Sequence, residues 1–310
     1  MNRRRFLRFG IGALAGGVAL PWIGGARAEE PVSPEKAARF PEIALARGDA
    51  KDATRRALAA LGGIGRFVPS GAVVLIKPNA SFPSPPEWGA TTHPEVVASL
   101  IALCLEAGAR RVFVADHTMQ DPDTCFEVSG TRAAVAPFSE AKLVSLDDRK
   151  AYRAIEIPGG KALRKAEIPV LLEKADVFIN APTAKSHAAT AVSLGLKNLM
   201  GLVWDRNVFH QEIDLHQGIA DLGTALRPNL TVLDAQSVLK TGGPAGPGDV
   251  EMLGAVVAGI DPVAVDAYGV GLSSWNGQTL LPGHVGYIRH AAAHGLGTFD
   301  RKAIRVEEVG

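Results

Sequence analysis

From Ala184 to Leu202 the chain reads AKSHAATAVSLGLKNLMGL, with two lysines, a histidine and an asparagine set among alanines, leucines and glycines. A hydrophobic core has no use for Lys185, His187 and Lys197, and a solvated face would surround them with more polar neighbours. Lysines beside an imidazole disfavour its protonated form, which leaves a neutral ring able to accept a proton or bind a metal. A lysine in such a pocket can hold a carboxylate or phosphate, or bond covalently to a carbonyl-bearing cofactor. The plainer alternative has both lysines extending their ammonium groups to water while His187 caps a helix.

Spacing limits how these groups meet. In one continuous helix, ten residues at about 100° each would set His187 and Lys197 roughly 80° apart around the axis. A loop followed by a short helix beginning near Ser193 instead lets them converge on one crevice. The small residues between them, Ala188, Ala189, Thr190, Ala191 and Gly195, permit close approach of backbone or ligand. Asn198 follows directly on Lys197.

The elements that would position this segment alternate. AVVLIKPN, from Ala72 to Asn79, is a near-continuous apolar run, as in a strand buried on both faces, and Pro78 ends it. A proline-rich loop over 81–92 leads to helical periodicity from His93 to Gly108. RRVFVADHT repeats the strand-then-polar pattern and ends at Asp116 and His117. KLVSL and AIEIP are shorter strand candidates. Further strands span Asp176–Asn180 and the run ending at Asp234, and a strand, a turn at Asp261-Pro262 and a helix follow from Leu253. A helix is expected from Asp52 to Leu61, after a lead-in over residues 29–48. This alternation predicts an α/β fold with a largely parallel sheet flanked by helices, as one domain or as two lobes around a crevice. Lys77 and Asn79, Asp116 and His117, Asn180, and Asp234 all fall at strand ends, where parallel sheets open onto a ligand crevice. Lys77, Asn79, Lys185, Asn198 and Asp234 are therefore the expected substrate- or anion-binding residues, and His187 and Lys197 the expected catalytic pair.

Other groups carry weaker signals. His210 and His216 are six residues apart, which fits neither a helical zinc pair nor H-E-x-x-H. Glu212, Asp214 and Asp221 read as a solvated face, and HVGYIRHAAAHG, with His284, His290 and His294, as a surface helix. TGGPAGPGD, from Thr241 to Asp249, reads as a flexible loop. Cys104 sits in an apolar helical pattern and Cys125 in a polar loop. Sequence leaves open whether they pair in a disulfide, and two cysteines cannot supply the four thiolates of a usual iron–sulfur cluster. A nucleophile elbow and a P-loop are both missing from the sequence after residue 28.

The first 28 residues read as a targeting segment, with a basic start, an apolar stretch and a small-x-small cleavage site ending at Ala28. Arg3-Arg4 followed by Phe6-Leu7 points to the twin-arginine form, with an ordinary secretory signal or an uncleaved anchor as the alternative, and it implies the twin-arginine translocase as a partner and a periplasmic destination. That route carries folded proteins and hints at a cofactor. Gly10, Gly12 and Ala15 formally fit a dinucleotide fingerprint, but no strand precedes them and cleavage would remove them. Cleavage takes away five arginines and no acidic residue, so the formal charge falls from +1 to −4. A mildly acidic chain is not the footprint of a nucleic-acid-binding protein, and no later run is long enough to span a membrane.

Several segments together resemble the family known as domain of unknown function 362: VLIKPNASF, TTHPEVVASLI, AGARRVFVAD, ADVFINAPTAKSHAATAVSLGLKNLMG and DPVAVDAYG, over about residues 73–272. Some members of that family carry ferredoxin-like cysteine motifs, which this chain lacks. DVFINAPTAKSHAATAVSLGLKNLMG also resembles the part of nickel-pincer lactate racemases that carries a catalytic histidine and, ten residues on, the lysine bonded to the cofactor. The resemblance places those roles at His187 and Lys197, with His210 as the nearest counterpart of a downstream nickel-binding histidine. Gly195-Leu196 stands where the racemases have two glycines. Sequence therefore points to an exported enzyme acting on a small anionic molecule, dependent on a metal or a metal-containing organic cofactor. The competing expectation is a periplasmic small-ligand-binding protein, or an accessory or maturation protein of a redox system, without catalysis. On this reading residues 1–28 are the signal and 29–310 one α/β domain.

Overall fold

The computed structural model describes residues 40–300 and 302–310, so the expected export signal lies outside the described residues. A ten-stranded sheet organises the chain, with β12 (Val306–Val309), β1 (Ile43–Arg47), β11 (Val250–Gly259), β10 (Leu230–Leu239), β7 (Val177–Ala181), β2 (Val73–Pro78), β3 (Arg111–Asp116) and β4 (Ala141–Ser145) side by side. From β10 to β4 every pairing is parallel, and β11 runs antiparallel between β10 and β1. The α/β reading therefore holds. β5 (Tyr152–Glu156) and β6 (Lys165–Pro169) form a separate antiparallel hairpin.

Alternation along the strands divides the core in two. Val74 and Ile76 of β2, Val112 and Val114 of β3, and Ile179 of β7 face α1 (Ala50–Ala60) and α2 (Pro94–Glu106). Leu75, Phe178, Leu233 and Val257 face the opposite layer. That second layer holds the hairpin and α8 (Leu215–Ala225), α9 (Pro262–Val270) and α10 (Gly286–Ala293), preceded in the chain by the short helices α3 (Pro122–Val128), α4 (Thr131–Val135), α5 (Leu171–Lys174), α6 (Gly195–Asn198) and α7 (Asn207–Gln211). Caps fix the helix starts. Asp49 accepts from the Asp52 amide, His93 from Glu95, and Asp261 from Val263 and Ala264.

Several expectations are corrected. The lead-in before Asp52 contains β1, whose Ile43–Ala46 are fully buried between two strands. The segment after Asn180 is not a loop: β8 (Thr183–His187) pairs with β10 on one side and with β9 (Ala191–Ser193) on the other. Asp221 is no solvated residue. Its carboxylate accepts the backbone amides of Lys161, Ala162 and Leu163 at 2.7–2.9 Å and Gln217 Nε2 at 2.8 Å, with His294 Nε2 at 2.7 Å. The helix read as a surface element buries Tyr287, Ile288 and Ala291. Cys125 lies in α3 rather than a loop, and Cys104 and Cys125 are both buried free thiols. The Gly/Pro loop is anchored, with Ser84 Oγ donating to Ala245 O and the Gly243 amide to Ser186 Oγ.

Candidate functional site

Parallel register sets the floor of the site. Lys77 of β2 lies beside Asn180 of β7, and Asn180 beside Thr231 of β10. Neighbours in parallel strands point to the same face, so a polar row crosses the sheet just where the apolar core ends. Helix α6 docks on this row. Asp266, reaching from α9, accepts the Gly195 amide at 2.7 Å and the Leu196 amide at 2.9 Å, which are the free N–H groups of the helix start. A side chain at position 195 would have no room: its Cβ would stand 2.7 Å from Asp266 Oδ1 and 3.2 Å from Thr231 Cγ2.

With α6 held there, Asn198 becomes the hub of a buried network. Its Oδ1 accepts from Lys77 Nζ and from Asn79 Nδ2, each at 3.1 Å, and its Nδ2 donates to Asn180 Oδ1 at 2.8 Å. Lys77 is wholly buried and fully used: it pairs with Asp116 at 2.8 Å, donates to Pro78 O at 2.6 Å and to Asn198, and does not line the cavity above. Burial lowers its pKa, and Asp116 opposes that shift. Lys77 thus supports the site instead of touching an anion. Asp234 is elsewhere too; its carboxylate clamps the amides of His93 and Gln236 at 2.7 and 2.9 Å, and burial raises its pKa.

Above the network lies a cavity of about 350 Å³, lined among others by Asn79, Phe82, Lys185, His187, Lys197, Arg206 and His210. Strand β8 explains how two of these arrive together, since Lys185 and His187 are two residues apart and share a face, while Ser186 between them turns the other way to meet Gly243. Lys185 Nζ donates to Asn79 Oδ1 at 3.2 Å and to Ala90 O, and sits 5.3 Å from the centre of the Phe82 ring. Its acceptors are neutral. Burial first, then Lys197 and Lys77, push its pKa down to about 7. Lys197 is 8 % exposed, and among the described residues its ammonium meets only Met200 Sδ, at 3.6 Å. Burial, then Arg206, lower it to about 8. Burial, then Lys197, Lys185 and His210, drive His187 to about 3, so its ring is neutral at physiological pH.

Sequence reading missed Arg206, which donates to His117 O and Thr118 O at 2.9 Å each and so adds a third cation without adding a carboxylate. It also missed Asp266, which sets α6 in place. Position alone gave no signal for either: one lies in a polar loop and the other inside an apolar helix. His210 reaches the cavity edge, where burial, Lys197 and Arg206 lower its pKa.

Among the described residues no carboxylate or thiolate lines this cavity. Among them, too, no group of three or more His, Cys, Asp or Glu side chains is placed to hold a metal ion. Two imidazoles amid three cations do not fit a bare divalent cation. The same lining fits an anion.

The fold and cavity define an α/β protein with a positively charged, partly dry pocket at the carboxyl ends of parallel strands. Residues 74–271 match the family described as domain of unknown function (DUF362), and the chain belongs to that family. A thylakoid-associated protein of Synechocystis sp. is 29 % identical over 220 residues, covering 68 % of this chain and 66 % of the relative, just under two thirds of its length. The chain also overlaps the lactate racemase apoprotein of Thermoanaerobacterium thermosaccharolyticum at 15 % identity and a TM-score of 0.41, over 63 % of this chain and 50 % of that one. A Thermotoga maritima protein overlaps at 12 % identity and a TM-score of 0.41, over 66 % of this chain and 55 % of that one. No described helix is long and apolar enough to cross a membrane.

Proposed function

We propose that this protein is an enzyme that binds a small organic anion in the cavity between β8, α6 and α7 and acts on it there. One observation carries the reading: the Lys197 ammonium is buried in a wall that, among the described residues, has no carboxylate and offers it only a thioether partner. A charge held so is costly until an anion joins it, and the anion then gains an interaction little screened by water. Lys197 and Arg206 supply the charge, Lys185 and Asn79 form the rear wall, and His187 and His210 face the bound molecule. We further propose delivery by the twin-arginine route to the periplasm, supported by Arg3-Arg4 with Phe6-Leu7 and in keeping with the thylakoid association stated for the Synechocystis relative.

Titration calorimetry of the mature chain with small carboxylates and inorganic phosphate tests the binding. Binding that weakens at least tenfold in Lys197→Met supports the reading, and equal affinity in both proteins sinks it. Incubating each bound compound with the protein and following it by NMR separates an enzyme from a binding protein, for which nothing would be converted.

A further inference from the structure

We propose that His187 faces the cavity as a neutral hydrogen-bond donor, with its proton on Nε2, and that it stabilises an acceptor oxygen of the bound anion instead of taking the anion's proton or binding a metal. The role of the bound anion rests on the function proposed above; the position of the proton does not.

Backbone geometry carries the assignment. After β8 the chain turns through residues 188–190 and returns as β9, with His187 opposite Ala191. Thr190 fixes this turn, its hydroxyl donating to Val192 O at 2.9 Å while its carbonyl accepts the Val192 amide at 2.8 Å. The turn aims the Ala189 amide at the ring, and that amide donates to His187 Nδ1 at 3.1 Å. An amide hydrogen is permanent, so Nδ1 must offer its lone pair. A proton on Nδ1 would set two donors head to head in a buried place.

Charge completes the argument. Lys185 beside it on β8, Lys197 from α6 and His210 from α7 surround the ring, and among the described residues no carboxylate lines the cavity to hold an imidazolium. A neutral ring whose Nδ1 accepts has its hydrogen on Nε2. Nε2 then has no lone pair for a metal or a proton. His210 differs, because among the described residues its ring makes no hydrogen bond, and either of its nitrogens is free to accept. The expectation that His187 is a proton acceptor is thereby replaced: His187 donates, and the accepting role falls to His210.

The test uses the full mature chain labelled with nitrogen-15 in histidine. Long-range proton–nitrogen correlation at pH 7, with His187 assigned from the signals lost in His187→Gln, should show an unprotonated Nδ1 and a protonated Nε2. A protonated Nδ1, alone or with Nε2, overturns the proposal. Acetate titration tests the donor role. His187→Gln keeps a donor near the Nε2 position and should hold affinity within about threefold, whereas His187→Met should lose about tenfold. Equal losses in the two variants would refute donation. Should acetate fail to bind even the wild-type protein, the function fails and the nitrogen spectrum still decides the tautomer.

Discussion

Replacing Lys197 by methionine should make the ligand-free protein more stable while removing its affinity for anions. Methionine keeps most of the hydrocarbon stem that packs in the wall and deletes the ammonium. The descent of Lys197 from its ordinary 10.5 to about 8, caused by burial and then by Arg206, sets the scale of what the charged form costs in the fold. At about 1.4 kcal/mol per pH unit, that is about 3 kcal/mol. The sign follows from proton counts: between pH 8 and pH 10.5 the unfolded chain holds this proton and the folded chain does not, so wild-type stability rises through that window. The variant's advantage is therefore full below pH 8 and gone above pH 10.5. Urea denaturation at pH 7 should show a gain of about 3 kcal/mol, or roughly 6 °C in Tm at about 2 °C per kcal/mol. Near pH 10 the two proteins should converge. An anion at a hundred times its Kd stabilises only the wild type, by about 2.7 kcal/mol, and nearly closes the gap. A variant no more stable than wild type at pH 7, or a difference unaltered near pH 10, would refute the account of Lys197 as an unmatched buried charge.

Anion affinity itself should fall as pH rises. Lys185 near 7 and Lys197 near 8 lose their charges in turn, so calorimetry should record at least tenfold weaker binding near pH 9 than near pH 6. Gly201→Ala should unfold at markedly lower urea, because the added Cβ would stand 2.6 Å from Asp116 Oδ1 and 2.7 Å from Lys77 Nζ. Forcing that buried pair apart costs about 3 kcal/mol or more, and an unchanged midpoint would show that the pair can shift freely. Asp266→Asn keeps one acceptor for the Gly195 and Leu196 amides and turns a donor toward the other, at a cost of about 1–3 kcal/mol. It should also weaken anion binding, since Lys197 rides on α6; wild-type affinity in this variant would show that α6 is held without it.

Strand β2 was legible in the sequence because a short continuous apolar run such as AVVLI, closed by a proline, fits a strand covered on both faces and little else. The same holds for β7 and for the strand–turn–helix around Asp261. β8 was not legible. Its residues Thr183–His187 are small or polar, and a strand of that composition exists because β10 supplies its backbone partners and the network under it supplies partners for Lys185. That is tertiary context, which local pattern does not contain. Convergence of Lys185, His187 and Lys197 was expected from their isolation among apolar neighbours, and the structure lines one cavity with all three. Lys77 and Asp234 misled because a polar residue at a strand end has two uses, facing a ligand or tying down the neighbouring loop. Sequence cannot separate these: Lys77 had its partner in Asp116, 39 positions away, and Asp234 had its partners in the His93 and Gln236 amides.

The layer beneath the cavity is made of carboxamides, Asn79, Asn180 and Asn198, each of which both donates and accepts within the network. Exchanging the amide nitrogen of Asn180 or Asn198 for oxygen would set two acceptors face to face, at Gly195 O or at Asn180 Oδ1, so each acid would cost the network a hydrogen bond while adding a negative charge beneath the cations. Deamidation at Asn198 would thus weaken the pocket and the seat of α6 together, a form of ageing visible as a one-dalton gain in mass with a loss of both binding and stability.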